Sequence, residues 1–100
     1  MNIIKNLNQG TYDVALNGKF TFGDHLAFRE ILQKIEEKDV SKIVLHLDHL
    51  EFIDSAALGM LLLALDVSEK NHKQLIISGI TGQVKKIFEL ARFHTLFAMG

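Results

Sequence analysis

A serine hydroxyl next to a carboxylate is the pair in this 100-residue chain with the clearest potential for chemistry. Asp54 and Ser55 stand directly before the apolar run Ala56 to Leu65, whose Ala, Leu and Met content favours a helix over a strand. Asp and Ser side chains at a helix N-terminus accept hydrogen bonds from backbone N–H groups that lack helical partners. One interpretation is therefore structural, with Asp54 or Ser55 as the cap of this helix.

The same position also suits a serine that is modified. Free N–H groups and the helix dipole favour negative charge at a helix N-terminus, and phosphorylation of Ser55 would add about −1.5 to −2 charge there. Asp54 would repel this charge, so we expect a phosphate to change what the surface binds rather than to stabilise the fold. A separate kinase would supply it. The residues alone leave the cap and the phosphate acceptor as open alternatives.

Other reactive residue types do not form a recognisable site. His46, Asp48 and His49 are close in sequence, but strand alternation would turn His49 away from the other two, and no HExxH motif is present. The phosphate-binding patterns GxGxxG and GxxxxGKS/T are absent, and no serine lies in GxSxG. We therefore predict no metal, no cofactor, no small-molecule substrate and no enzyme activity.

Composition narrows the class of protein further. The chain is 48% hydrophobic and 23% charged with a net charge of −1, which is typical of a globular domain and gives no basic surface for nucleic acid. Its lack of cysteine excludes disulfides and Cys-ligated metals. The longest apolar run is about half of a bilayer span, so we predict no membrane insertion. With no signal-peptide pattern at the start, we expect one cytoplasmic domain over residues 1–100.

The first part of the chain predicts two strands and a helix. Thr11 to Asn17 alternates as a half-buried strand that Gly18 ends, and Ile3 to Leu7 pairs with it across a polar turn. Thr21-Phe22-Gly23-Asp24 has the form of a capping box. The apolar stripe of the helix behind it is Phe28, Ile31, Leu32 and Ile35.

The second half predicts a strand over Lys42 to Leu47 and a loop from Asp48 to Asp54. The apolar helix then runs to about Lys70 and is expected to be buried on all sides. A strand over Gln74 to Ser78 and a helix from Thr81 or Gly82 follow, with the stripe Val84, Ile87, Phe88 and Ala91.

The C-terminal segment Phe93 to Met99 predicts a short strand or turn. We expect the phenylalanines on either side of the apolar helix to be core rather than interface, namely Phe20, Phe22, Phe93 and Phe97. Alternation of strands and helices predicts an α/β fold: a mixed, largely parallel β-sheet of about four to five strands packed against about three to four helices.

One segment resembles the signature of the STAS domain family, specifically of bacterial anti-sigma factor antagonists. The family motif is an apolar residue, Asp-Ser, two small residues, Leu-Gly and an apolar helix, and the matching segment here is LEFIDSAALGMLL, residues 50–62. The likeness covers most of the chain. Gly18 to Phe20 matches the end of an early strand, Ile43 to Asp48 the strand before the motif, and Gln74 to Gly79 the strand after it.

The resemblance implies a partner switch in bacterial signal transduction and transcription regulation. In this family the unphosphorylated domain binds an anti-sigma factor that is also a serine kinase, and so releases a sigma factor or another target. Phosphorylation by the kinase, here on Ser55, abolishes binding, and a serine phosphatase restores it. By the same resemblance Asp54 is the supporting acid or cap, and Gly59 allows close approach at the helix start.

The resemblance also implies a partner-binding surface around the serine, made by Thr21, Asp24, Leu50, Glu51, Asp54, Ser55, Ala56, Gly59 and Met60. Two positions depart from the family. Thr21 stands where many members carry an acidic residue, and Ala56 stands where a second hydroxyl is common. An alternative is a phosphorylation-independent STAS scaffold or subunit bound to a transporter ATPase or another regulatory complex, in which Ser55 only caps the helix.

Overall fold

The computed structural model describes residues 1–100 and confirms the α/β class, with six strands and three α-helices. Short 3-10 turns precede α1 at Phe22–Asp24 and follow α3 at Phe93–Thr95. The elements are β1 Asn2–Asn8, β2 Thr11–Phe20, α1 His25–Ile35, β3 Lys42–His46, β4 Leu50–Ile53, α2 Ser55–Lys70, β5 Gln74–Ser78, α3 Gly82–Leu90 and β6 Ala98–Met99.

The sheet is mixed and largely parallel, as predicted. Its order is β1-β2-β3-β5-β6, and only the β1–β2 pair is antiparallel. β1 and β2 form the predicted hairpin, in which Asn8 pairs with Thr11 next to the turn. The C-terminal segment provides both of the alternatives expected for it, a 3-10 turn and the short strand β6 beside β5.

The predicted loop from Asp48 to Asp54 is wrong, because most of it is strand β4. β4 pairs in parallel with the second half of β2, and the register shifts between Gly18 and Lys19. Gly18 has a φ of +95°, a conformation that suits glycine, and the chain continues through it as a bulged strand instead of ending there. β4 has only four residues, too few for alternation to reveal a strand whose partner lies far away in sequence.

The helices cover one face of the sheet. The core contains alternate β2 residues such as Tyr12 and Val14, whereas Asp13 and Ala15 between them are partly exposed. The α1 stripe is confirmed, with Leu32 partly buried beside three buried neighbours. None of the helices has the length and apolar character to cross a membrane.

Two expectations about burial are wrong. Helix α2 is not buried on all sides, since Leu62 and Leu63 are 39% and 53% exposed. Phe22 is not a core residue, because the 3-10 turn leaves 62% of it exposed. The other three phenylalanines are buried, and the C-terminal pair lies with the α3 phenylalanine in one cluster, formed by Phe88, Phe93 and Phe97.

Candidate docking and phosphorylation site

The ends of β2 and β4 bring two distant segments of the chain together. Phe20 pairs with Ile53, and the backbone N–H of Asp54 donates to the carbonyl oxygen of Phe20 at 3.1 Å. Because the two strands are parallel, their carboxyl ends meet at the same edge of the sheet. The turn that begins at Thr21 and the helix that begins at Ser55 therefore start as neighbours.

Asp54 is the N-cap of α2. The structure therefore decides which of Asp54 and Ser55 caps the helix, a choice that the sequence left open. Its Oδ1 accepts a hydrogen bond from the backbone N–H of Ala57 at 2.8 Å. Its Oδ2 accepts a second bond, from the backbone N–H of Phe22 at 3.1 Å. One carboxylate thus satisfies a free N–H at the helix start and also fastens the neighbouring turn to the helix.

Ser55 is the first residue of α2 and is exposed. Its hydroxyl makes no hydrogen bond within the chain, whereas Ser41 and Ser68 both donate to backbone carbonyls. The helix behind it has 16 residues, and the dipole of such a helix places partial positive charge at this end. The Ser55 hydroxyl is therefore accessible and unused by the fold.

The turn beside Ser55 is closed by its own hydrogen bonds. The backbone N–H of Thr21 donates to Asp24 Oδ2 at 2.9 Å, and the Asp24 N–H donates to the Thr21 carbonyl at 3.0 Å. The Asp24 side of the expected capping box, in which its carboxylate accepts from the Thr21 N–H, is thus present. The exposed Phe22 ring stacks on the His25 ring, with centroids 4.7 Å apart, and His25 Nδ1 lies 2.9 Å from the Phe22 carbonyl oxygen.

The other residues expected at a partner surface divide into two groups. Glu51 and Gly59 are exposed, and Ala56 is partly exposed. Leu50 and Met60 are only 4% and 8% exposed and belong to the core, so they support the surface from below instead of forming it.

Gly59 does not provide close approach to another part of this chain. A Cβ at Gly59 would have no heavy atom within 4 Å, so the space beside it is open to solvent. Any close approach that Gly59 permits would have to come from another molecule.

A groove beside the site contains residues that the sequence did not identify. It lies along the ends of β2 and β4, where α3 packs on β4. Its lining residues are Lys19, Thr21, Glu51, Phe52 and Gln83. Gln83 carried no signal in the sequence, because only the tertiary packing of α3 brings it here, whereas Lys19 and Phe52 follow from the β2–β4 pairing once β4 is known.

His46, one of the two histidines beside Asp48 in the sequence, pairs with a different carboxylate. His46 Nε2 is 2.7 Å from Asp13 Oδ1 on the neighbouring strand. No group of three or more His, Asp or Glu side chains is placed to hold a metal ion. The strand ends at His46, so Asp48 does not continue its face of the sheet.

The fold and the site define a small α/β domain with an exposed serine at the start of a central helix, next to a turn that the helix cap holds in place. The family model of the STAS domain matches residues 2–99. The chain therefore belongs to the STAS domain family, as the motif around Ser55 indicated.

Two relatives show how similar sequences are named. A STAS-domain containing protein of Pseudomonas aeruginosa is 31% identical over 87 residues, which cover 87% of this chain and 85% of that protein. The anti-sigma-B factor antagonist of Staphylococcus aureus is 23% identical over 96 residues, which cover 96% of this chain and 89% of that protein.

Solved structures share the fold. The anti-sigma factor antagonist SpoIIAA in its unphosphorylated form superposes with a TM-score of 0.78 at 19% identity, covering 99% of this chain and 87% of that chain. The SpoIIAA of Bacillus has also been solved in its phosphorylated form, with a TM-score of 0.72 at 19% identity, 99% of this chain and 91% of that chain. A sulfate transporter family protein from Wolinella succinogenes has a TM-score of 0.79 at 21% identity, 94% of this chain and 76% of that chain.

Proposed function

We propose that this chain is an anti-sigma factor antagonist that works as a partner switch controlled by phosphorylation of Ser55. The unphosphorylated chain binds an anti-sigma factor that is also a serine kinase, and thereby releases the target of that factor. A serine phosphatase returns the phosphorylated chain to its binding form. The names of the Staphylococcus aureus relative and of SpoIIAA, which exists in both phosphorylation states, support this role.

The observation that carries the proposal is the division of labour between Asp54 and Ser55. Asp54 caps α2 and holds the neighbouring turn, so the Ser55 hydroxyl is exposed and free of intrachain hydrogen bonds. A phosphate on Ser55 would add charge in the middle of the surface, and the helix start would still have an anionic acceptor for its free N–H groups. The fold would persist while the chemistry of the docking surface changes.

The transfer itself is carried out by the partner. Ser55 Oγ forms a bond to the γ-phosphorus of ATP, the bond from that phosphorus to the bridging oxygen of ADP breaks, and the hydroxyl proton passes to a base of the kinase. The phosphatase hydrolyses the ester and returns serine and inorganic phosphate. In this proposal the chain is a substrate and a binding protein, not an enzyme, and it acts in the bacterial cytoplasm without nucleic acid, membrane insertion or a small-molecule substrate.

The proposed docking surface contains the exposed and partly exposed residues at the ends of β2 and β4 and at the start of α2. It comprises Thr21, Phe22, Asp24, Glu51, Asp54, Ser55, Ala56 and Gly59. Leu50 and Met60 are left out of it because they are buried. We propose that residues 1–100 form a single STAS domain that carries this surface.

Binding measured against the anti-sigma factor kinase encoded by the same genome tests the proposal. Wild-type chain should form a complex that Mg-ATP dissolves, and Ser55→Ala should form a complex that survives Mg-ATP. Ser55→Asp should bind weakly because it places charge in the docking surface. Ser41→Ala, which alters a serine bonded to the Gly10 carbonyl, is the matched control and should behave as wild type.

A second candidate function is the phosphorylation-independent STAS scaffold or subunit of a transporter complex. The occurrence of this fold in a sulfate transporter family protein favours keeping it. In that case Ser55→Ala and wild type would bind the same partner equally in the presence of ATP, and the partner would be a transporter ATPase subunit. Release of wild type but not of Ser55→Ala by Mg-ATP decides against the scaffold.

A further inference from the structure

The two oxygens of the Asp54 carboxylate serve two different structural elements. Oδ1 accepts the Ala57 N–H inside helix α2, and Oδ2 accepts the Phe22 N–H in the turn before α1. Phosphorylation at the adjacent Ser55 would therefore act next to a group that already links the helix to the turn. The turn lies outside the helix that carries the serine.

The turn Thr21–Asp24 is built to stay intact when that link is released. Its internal bonds, from the Thr21 N–H to the Asp24 carboxylate and from the Asp24 N–H to the Thr21 carbonyl, do not involve Asp54. The Phe22 side chain is 62% exposed, so burial does little to hold it in place. The Phe22 N–H donates its hydrogen bond to Asp54, and this bond connects the turn to the start of α2.

A phosphate on Ser55 would compete with Asp54 in two ways. It carries about −1.5 to −2 charge, which repels the neighbouring carboxylate. Its oxygens are strong acceptors for the same N–H groups at the helix start that Asp54 now uses. Both effects favour displacement of the Asp54 side chain from its present position.

We propose that Asp54 is a positioning residue that transmits the phosphorylation state of Ser55 to the turn Thr21–Asp24. Phosphate displaces the Asp54 carboxylate, the Phe22 N–H loses its acceptor, and the turn moves together with the exposed Phe22 ring. The inference rests on the proposed function, in which Ser55 carries phosphate. It adds that phosphate changes the Phe22 half of the docking surface as well as the serine itself.

Amide exchange with water, measured by NMR on the full chain with and without phosphoserine at position 55, tests this proposal. Phosphoserine introduced during translation avoids any need for the partner kinase. Exchange of the Phe22 amide should rise at least about tenfold, as expected for loss of one charge-assisted hydrogen bond. The Thr21 amide, whose acceptor is Asp24, should keep its rate and so serves as an internal control.

Three variants calibrate the measurement. Asp54→Ala should show the fully released Phe22 rate without phosphate, and Ser55→Ala should show the wild-type rate. Asp54→Asn keeps one amide oxygen as an acceptor and provides a second variant if Asp54→Ala folds poorly; its Phe22 rate should lie between those of wild type and Asp54→Ala. An unchanged Phe22 rate in the phosphoserine form would overturn the proposal, as would an equal rise at Phe22 and Thr21.

The outcome is separable from the proposed function. If phosphoserine abolishes partner binding while the Phe22 rate stays constant, the switch stands and the transmission through Asp54 is wrong. If phosphoserine raises the Phe22 rate but no serine kinase binds the chain, the coupling stands and the partner switch is wrong.

Discussion

The backbone N–H of Phe22 donates a hydrogen bond to the carboxylate of Asp54, 32 positions later in the chain, at 3.1 Å. The contact exists because β2 and β4 are parallel neighbours, with Phe20 paired to Ile53, so that both segments leave the sheet side by side. The surface around Ser55 is therefore assembled from two segments, and the helix cap is also the link between them.

The first prediction concerns which residue stabilises the start of α2. Asp54→Ala should lower the free energy of unfolding by about 0.5–2 kcal/mol through loss of the cap, with a further loss from the Phe22 bond. Ser55→Ala should change it by less than about 0.5 kcal/mol, because the hydroxyl makes no bond in the fold. Urea unfolding followed by circular dichroism measures both. A larger effect for Ser55→Ala than for Asp54→Ala would show that the serine is the cap.

A second prediction contrasts two glycines. Gly59 lies in a helix with open space at its Cβ position, so Gly59→Ala should raise stability by about 0.5–1 kcal/mol through helix propensity. Gly79 has a φ of +79°, and a Cβ there would collide with the Asp48 carboxylate, so Gly79→Ala should lower stability. Thermal unfolding of the two variants should give shifts of opposite sign.

The bulkier Gly59→Leu should impair partner binding at the proposed surface more than it impairs folding. A collapse of its melting temperature would instead place Gly59 in the core.

A third prediction separates two phenylalanines that are close in sequence. Phe20 is fully buried and packs on Phe28 at a ring distance of 5.1 Å, so Phe20→Ala should cost about 3–5 kcal/mol of stability. Phe22→Ala should cost less than about 1 kcal/mol, because most of the ring is exposed. Equal destabilisation by the two changes in denaturant titrations would contradict the exposed position of Phe22.

A fourth prediction concerns alkaline pH. Burial raises the pKa of the Tyr12 phenol above its ordinary value of 10.0, so the native state keeps its proton where the unfolded chain loses it. Stability from this group is present below pH 10 and is lost as the pH rises through the native pKa. Hydrogen bonding to Asp39 raises the pKa of Lys34 and adds loss in the same direction. Unfolding measured at about pH 8 and about pH 11 should show a smaller loss for Tyr12→Phe than for wild type, and an identical loss would remove Tyr12 from the cause.

Local patterns in the sequence were sufficient to predict most of the elements of the fold. The α1 stripe that includes Phe28 and Ile31 buries one face of a helix, and that periodicity depends only on neighbouring residues. Strand β4 could not be predicted in the same way. It exists because β2 continues past Gly18 and offers its second half as a partner, which is a long-range event that four residues do not encode by themselves.

The same distinction between local patterns and long-range contacts applies to the candidate site. The motif around Asp54 and Ser55 located the site in the sequence, and the capping box located the turn at Thr21. What remained beyond reach was that the two are joined through Phe22 N–H and the Asp54 carboxylate. That bond depends on the β2–β4 register, so the exposure of Phe22 and its position beside the start of α2 became evident only in the folded chain.

The most direct test of the account is the phosphorylation state of Ser55 in the cell. The protein is purified from its native host in several growth states and analysed by peptide mass spectrometry, with and without treatment by a serine phosphatase. The account predicts a phosphate on Ser55 that the phosphatase removes and that varies in abundance between growth states. An unmodified Ser55 in every growth state would contradict the phosphorylation switch and would favour the scaffold.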